Sequence, residues 1–247
     1  MKTLIFDIEA DGFLYDATRV WCLVGYCPEE DRYHIYLDNQ VGLCYPKNTI
    51  VYSNIDYISK YNLVGHNIIN YDLPLLSKLF NYKYNLSNVE DTVVMSRLFY
   101  PDREAHSLEW WGKKFKLYKG DHKDFSKLSQ EMLDYCIQDV RITYRTWLHL
   151  KEEARDWDWS EALKIEQAMA HIQTKQEQNG VLMDIDLAKS IVYNVSKEIK
   201  EIEEQVVPAI PMKCKHTGDI NKPFKKDGSY SEQAKKWMES LEDHSVG

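Results

Sequence analysis

The sequence predicts an α/β fold, and three observations carry the prediction. Apolar runs of strand type crowd the chain as far as His66, helical periodicity takes over after Asp72, and two carboxylates interrupt the first apolar run. Residues 4–10, 20–26 and 33–37 read as strands of an antiparallel meander, being rich in β-branched and aromatic residues and separated by polar segments. A helix is predicted near residues 50–61 and a strand at 63–66. Leu73-Pro74-Leu75-Leu76 opens a helical run, and another follows at 107–115. Apolar residues then recur at helical spacing from 132 to 150, in a helix expected to end near Asp156. Trp157-Asp158-Trp159-Ser160 reads as a junction with an amino-terminal cap. Two further helices, near 161–178 and 187–207, are separated by Asn179-Gly180. Repeats and low-complexity tracts are absent.

Several of these elements carry chemistry. On a strand of period two, Asp7 and Glu9 point to one face, which is how hard divalent cations such as magnesium or manganese are held by oxygen ligands. Asp72 falls at a strand-to-helix passage, after Gly65-His66-Asn67-Ile68-Ile69-Asn70-Tyr71. Tyr135 and Asp139 stand four apart in a helical pattern, so phenol and carboxylate share one helix face. Taken singly, each motif has a bland reading: a solvated acid, a core-facing tyrosine, or an asparagine capping a turn. In fixed order, on elements suited to present them, they point to one site.

Composition places limits on the function. A chain of 247 residues, 44% hydrophobic and 28% charged, can bury one substantial core with a smaller satellite region. No apolar stretch approaches the roughly 20 residues of a membrane span, and Met1-Lys2-Thr3 leads into a strand with no signal-peptide pattern, so a cytoplasmic location is expected. Cys22, Cys27, Cys44, Cys136 and Cys214 are odd in number and form no C-x-x-C pair, which favours buried free thiols; Cys214-x-His216 is too little for zinc. A net charge of −8 does not exclude nucleic acid, because a metal-filled cleft needs only local attraction. Residues 212–236 hold seven lysines against Asp219, Asp227 and Glu232 and read as a flexible basic arm suited to phosphates.

Asp7-Ile8-Glu9, the N-x-x-x-Y-D pattern of Asn67 to Asp72, and Tyr135-x-x-x-Asp139 resemble the three motifs of the DnaQ-like 3′→5′ exonucleases, in the tyrosine (DEDDy) branch. The histidine branch has its histidine five residues before the last aspartate, where this chain has Asp134. Between and beyond these motifs, the segment Asp91 to Leu98, His106-Ser107-Leu108-Glu109-Trp110-Trp111-Gly112 and Lys175-Gln176-Glu177-Gln178-Asn179-Gly180 resemble the amino-terminal region of family A DNA polymerases from short-tailed phages. His106 and Asp91 read as structural or cleft residues.

The resemblance implies a ribonuclease H-like mixed sheet with flanking helices, followed by a helical region and the basic arm. It implies a 3′→5′ exonuclease domain at 1–156, with 157–247 a helical linker and the start of a polymerase thumb-like region. Two divalent cations, Mg2+ or Mn2+, would be held by Asp7, Glu9, Asp72 and Asp139. In that scheme Asp7 bridges the two, Glu9 and Asp139 complete the nucleophile side, and Asp72 supports the leaving-group side through water. Tyr135 would orient the attacking water, and Asn67, Tyr71, His66 and Phe13 are candidates for the substrate cleft. The implied substrate is single-stranded or mismatched DNA at a 3′ end, cut to nucleoside monophosphates in proofreading in the cytoplasm of an infected bacterial host. No palm or fingers motif is present, so the polymerase would be a missing carboxy-terminal domain or a separate polypeptide. Trimming of RNA, or a non-catalytic DNA-binding module, are the rival readings.

Overall fold

A computed structural model describes residues 1–38, 42–207 and 223–242. Strand β1 (Lys2–Ala10) is central, because its neighbours cover both edges: β2 (Val20–Cys27) pairs antiparallel on one side and β5 (Tyr61–Gly65) parallel on the other. Strand β3 (Arg32–Leu37) extends the meander antiparallel to β2. Strands β4 (Thr49–Tyr52) and β6 (Val89–Asp91) close the two edges, each parallel to its neighbour, giving the order β4-β3-β2-β1-β5-β6.

Alternation along β1 sorts the two faces of the sheet. Leu4, Phe6, Ile8 and Ala10 enter one core cluster with Ile68, Leu73, Leu75 and Leu76. Ile5 enters a second cluster with Leu133, Cys136, Ile137 and Val140. These last four lie on α4 (Gln130–Glu153), whose start is capped by Ser129 accepting the Met132 N–H at 3.2 Å. Helices α2 (Thr92–Phe99) and α3 (Leu108–Phe115) pack on α4 around Met95, Trp111, Ile142 and Leu150. Helix α1 (Asp72–Phe80) follows β5 after a six-residue turn. That turn requires Gly65: a Cβ there would lie 2.1 Å from Cγ2 of the fully buried Ile68.

The helix expected near 50–61 is not there. Thr49–Tyr52 is a strand, and only Asp56–Lys60 coils, as a 3-10 turn. Thr49, Ile50 and Val51 are β-branched, and the free edge of β3 offers them a hydrogen-bonding partner that no local pattern reveals. The strand expected at 63–66 runs from Tyr61 to Gly65. Of the cysteines, Cys22, Cys27 and Cys136 are buried free thiols, whereas Cys44 is exposed; Cys214 lies outside the described residues.

Helix α5 (Ser160–Asn179) ends at Gly180, whose φ of 68° is left-handed. The first compact unit runs from Met1 to Gly180, and the second from Val181 to Gly247. In the second, α6 (Ile185–Val206) leaves Ile185, Val192, Val195, Ile199, Ile202 and Val206 exposed. The first part of the basic stretch, 212–222, lies outside the described residues. Its later part is more ordered than a flexible arm: Phe224 and Tyr230 pair across a bridge with stacked rings, and α7 (Glu232–Glu242) follows. No helix among the described residues is long and apolar enough to cross a membrane.

Candidate active site

The register of β1 places Asp7 opposite Val24 and Glu9 opposite Cys22, on the sheet face that Ile5 shares with α4. The Cys136 thiol donates to the Asp7 backbone carbonyl at 3.5 Å and lies 3.7 Å from Asp7 Oδ2. Ligand atoms of Asp7, Glu9 and Cys136 all fall within 4.8 Å of one another. Burial pushes the Cys136 thiol well above its usual range, so without a metal it stays protonated. A register shift between Glu9 and Ala10 ends the regular pairing just past the acids.

Asp72 reaches the site through a turn pinned by Asp91. The Asp91 carboxylate accepts N–H groups from Asn67 at 2.9 Å, Ile69 at 3.0 Å and Val93 at 2.9 Å, tying the turn to the start of α2. Asn67 sits at the turn's left-handed position, φ 68°, a conformation that asparagine tolerates. Helix α5 braces the same turn: Gln167 accepts the Asp91 N–H, and the Thr174 hydroxyl donates to Asn70 Oδ1. Asp91 is therefore a structural residue. His106 is one too, its Nδ1 bonding Ser96 Oγ at 2.8 Å.

Helix α4 contributes Asp139, 3% exposed, and Tyr135, half-buried. Asp7, Glu9, Asp72 and Asp139 thus converge from β1, the start of α1 and the middle of α4. Burial, then the charges of Asp72, Glu9 and Asp139, pushes the Asp7 carboxyl well above its usual range. Burial raises Glu9 to about 8, with Asp139 adding to it, and raises Asp72 to about 8. Burial also raises Asp139, partly offset by Lys119. Asp72 Oδ1 and Asp139 Oδ1 are buried without a hydrogen-bond partner. Clustered carboxylates with orphaned oxygens and no arginine among them suit hard divalent cations, so these residues fit such a group.

The candidate cleft residues divide. His66 Nδ1 hydrogen-bonds Thr92 Oγ1 at 2.8 Å, and the Thr92 hydroxyl donates to Gly65 O at 3.0 Å. Nε2 is buried without a hydrogen-bond partner, and burial pushes His66 down to about 3, partly offset by the His106 backbone. Tyr71 donates its hydroxyl to Gly12 O at 2.7 Å, bracing the loop after β1. Asn67 is exposed, with its Oδ1 accepting from Asn70. Phe13 is 82% exposed, on a loop held by Lys78, whose ammonium donates to the carbonyls of Leu14, Tyr15 and Ala17.

One residue at this site escapes sequence reasoning. Lys119, from the segment between α3 and α4, places Nζ 2.8 Å from Asp139 Oδ2 and 4.9 Å from the centre of the Tyr135 ring. It also hydrogen-bonds the Tyr135 hydroxyl. The only local signal is Gly120, where a Cβ would lie 3.1 Å from Tyr135 Cδ2; glycine lets the segment lie against the ring.

Sheet order and flanking helices define an α/β fold with a ribonuclease H-like mixed sheet. Among solved structures, the chain is similar to Brucella melitensis NrnC, with a TM-score of 0.55 and 15% identity, covering 73% of this chain and 86% of that one. NrnC with bound Mg2+ matches with a TM-score of 0.55 and 16% identity over 73% and 87%; NrnC bound to pGG matches at 0.54 and 13% over 73% and 86%. No family model matches. In sequence, the chain resembles the DNA-directed DNA polymerases of Enterobacteria phage T3 and Escherichia phage T7, each 25% identical over 257 aligned positions. The alignments cover 81% of this chain but only 36% of each polymerase. Over most of its length the chain is thus similar to a part of these phage polymerases, spanning about a third of their length.

Proposed function

We propose that the chain is a metal-dependent 3′→5′ exonuclease that trims DNA ends, the proofreading part of a phage DNA polymerase. The observation that carries this reading is the convergence of four carboxylates, three of them buried and two with orphaned oxygens, in a chain similar to phage polymerases over most of its length. Asp7, Glu9, Asp72 and Asp139 would hold two divalent cations, which supply activation of water and stabilisation of the leaving oxygen. The carboxylates must be deprotonated to bind, and Tyr135 holds its proton at neutral pH, since burial raises its pKa. Its hydroxyl is therefore a hydrogen-bonding group that orients the attacking water, not a base. Of the candidate cleft residues, the exposed Asn67 side chain is the one best suited to a nucleotide's polar edge. Residues 1–156 form the exonuclease part in this reading. Residues 157–247 make the helical linker and the start of a thumb-like region in this reading, although α5 belongs to the first compact unit. The exposed apolar face of α6 would be covered by polymerase sequence, in the same chain or a separate one.

A 5′-labelled single-stranded oligonucleotide in Mg2+ should give a descending ladder of shortened products. A paired end should react more slowly, because fraying it costs a few kcal/mol. A 3′-phosphate should block the reaction and a 5′ block should not. Early release of the label as a mononucleotide would reverse the polarity, and faster digestion of a matched RNA would move the substrate to RNA. For Tyr135→Phe, a loss of roughly ten- to a thousand-fold in kcat is expected, with the rate still rising with pH. If the mutant's pH profile instead loses an ionisation near the phenol's own pKa of about 10, the tyrosine is a base.

A further inference from the structure

Lys119 is the only cation in contact with Asp139 among the described residues, and it bridges both functional side chains of α4, the Asp139 carboxylate and the Tyr135 hydroxyl. Its side chain is 30% exposed, so the ammonium stands at the edge of the cluster rather than sealed within it. The segment that carries it is anchored on both sides: Tyr118 O accepts from Gln138 Nε2 at 3.1 Å, and Phe125 O from Trp21 Nε1 at 2.9 Å. His122 and Phe125 add ring contacts to Tyr135 at 5.9 and 6.3 Å.

We propose that Lys119 is a phosphate-contacting residue of this site, held on Asp139 and Tyr135 until the carboxylates take up metal and then paired with the terminal phosphodiester. The proposal rests on the exonuclease reading above. Its argument is one of charge. Lys119 holds only Oδ2 of Asp139, whose Oδ1 has no partner, and once four carboxylates balance two divalent cations Asp139 has no unbalanced charge left to hold the ammonium. An ammonium released there has one anion left to meet, the bridging phosphate of the 3′-terminal nucleotide, and the two charges cancel. A structural ion pair would need no exposed lysine on a segment fitted to Tyr135 by a glycine.

Two measurements on the full chain test this. Mn2+ binding followed by electron paramagnetic resonance should be several-fold tighter in Lys119→Met than in wild type, because Asp139 loses its competing cation, and near wild type in Lys119→Arg. Binding of a single-stranded oligonucleotide in Ca2+ should be weaker by about tenfold in Lys119→Met, the size of a charge-assisted hydrogen bond. That deficit should vanish when the last linkage is a neutral methylphosphonate. Unchanged Mn2+ binding, or an equal deficit on both oligonucleotides, overturns the proposal. If wild type cuts DNA and Lys119→Met cuts equally well, only this inference fails; if wild type cuts nothing, the exonuclease reading fails with it.

Discussion

Asp7→Ala is expected to reduce nuclease activity by about a thousandfold or more while raising the melting temperature of the metal-free protein. Both effects come from one geometry. Asp7 faces three other carboxylates from a half-buried strand position, and it lies against a neutral thiol, so its charge is unfavourable until a cation arrives. Removing the carboxylate relieves that repulsion and leaves a small gap, yet takes away a group that would hold the metal. A gel assay in Mg2+ reads the first effect, and a thermal melt in EDTA reads the second. More than a few per cent of wild-type rate retained in Mg2+ would sink the assignment of the site.

The second expectation concerns pH. Glu9 and Asp72 titrate near 8 in the folded protein, against usual values near 4 for the unfolded chain. Between those values the folded state binds more protons than the unfolded one, so stability falls as pH rises. The metal-free protein should therefore be most stable toward pH 5 and lose on the order of several kcal/mol by pH 8. Mg2+ or Mn2+ binds the deprotonated carboxylates and should reverse that slope. Thermal melts across this range with EDTA and with Mg2+ would show the two trends crossing. Parallel curves would mean that the acids are not a metal-binding cluster.

Much of the site was legible because its residues obey local periodicities. Asp7 and Glu9 share a face because a strand repeats every two residues, and Tyr135 and Asp139 do so because a helix repeats every 3.6. Asp72 stands where the strand-to-helix punctuation puts it, at the first residue of α1. The antiparallel meander and the long amphipathic helix were readable for the same reason. What the sequence could not reveal depends on partners far along the chain. Thr49–Tyr52 became a strand because β3 offered a free edge, and Asp91 became structural because the turn from Asn67 to Ile69 aims its N–H groups at it. Tyr71 and Phe13, adjacent to motif residues, face a loop carbonyl and solvent. Lys119, in an unremarkable polar segment, meets Asp139 across the helix packing. By itself the sequence determined which elements carry the acids and which way each acid faces. Only the tertiary structure decided what surrounds them, since long-range pairing and burial are set by the whole chain rather than by any window of it.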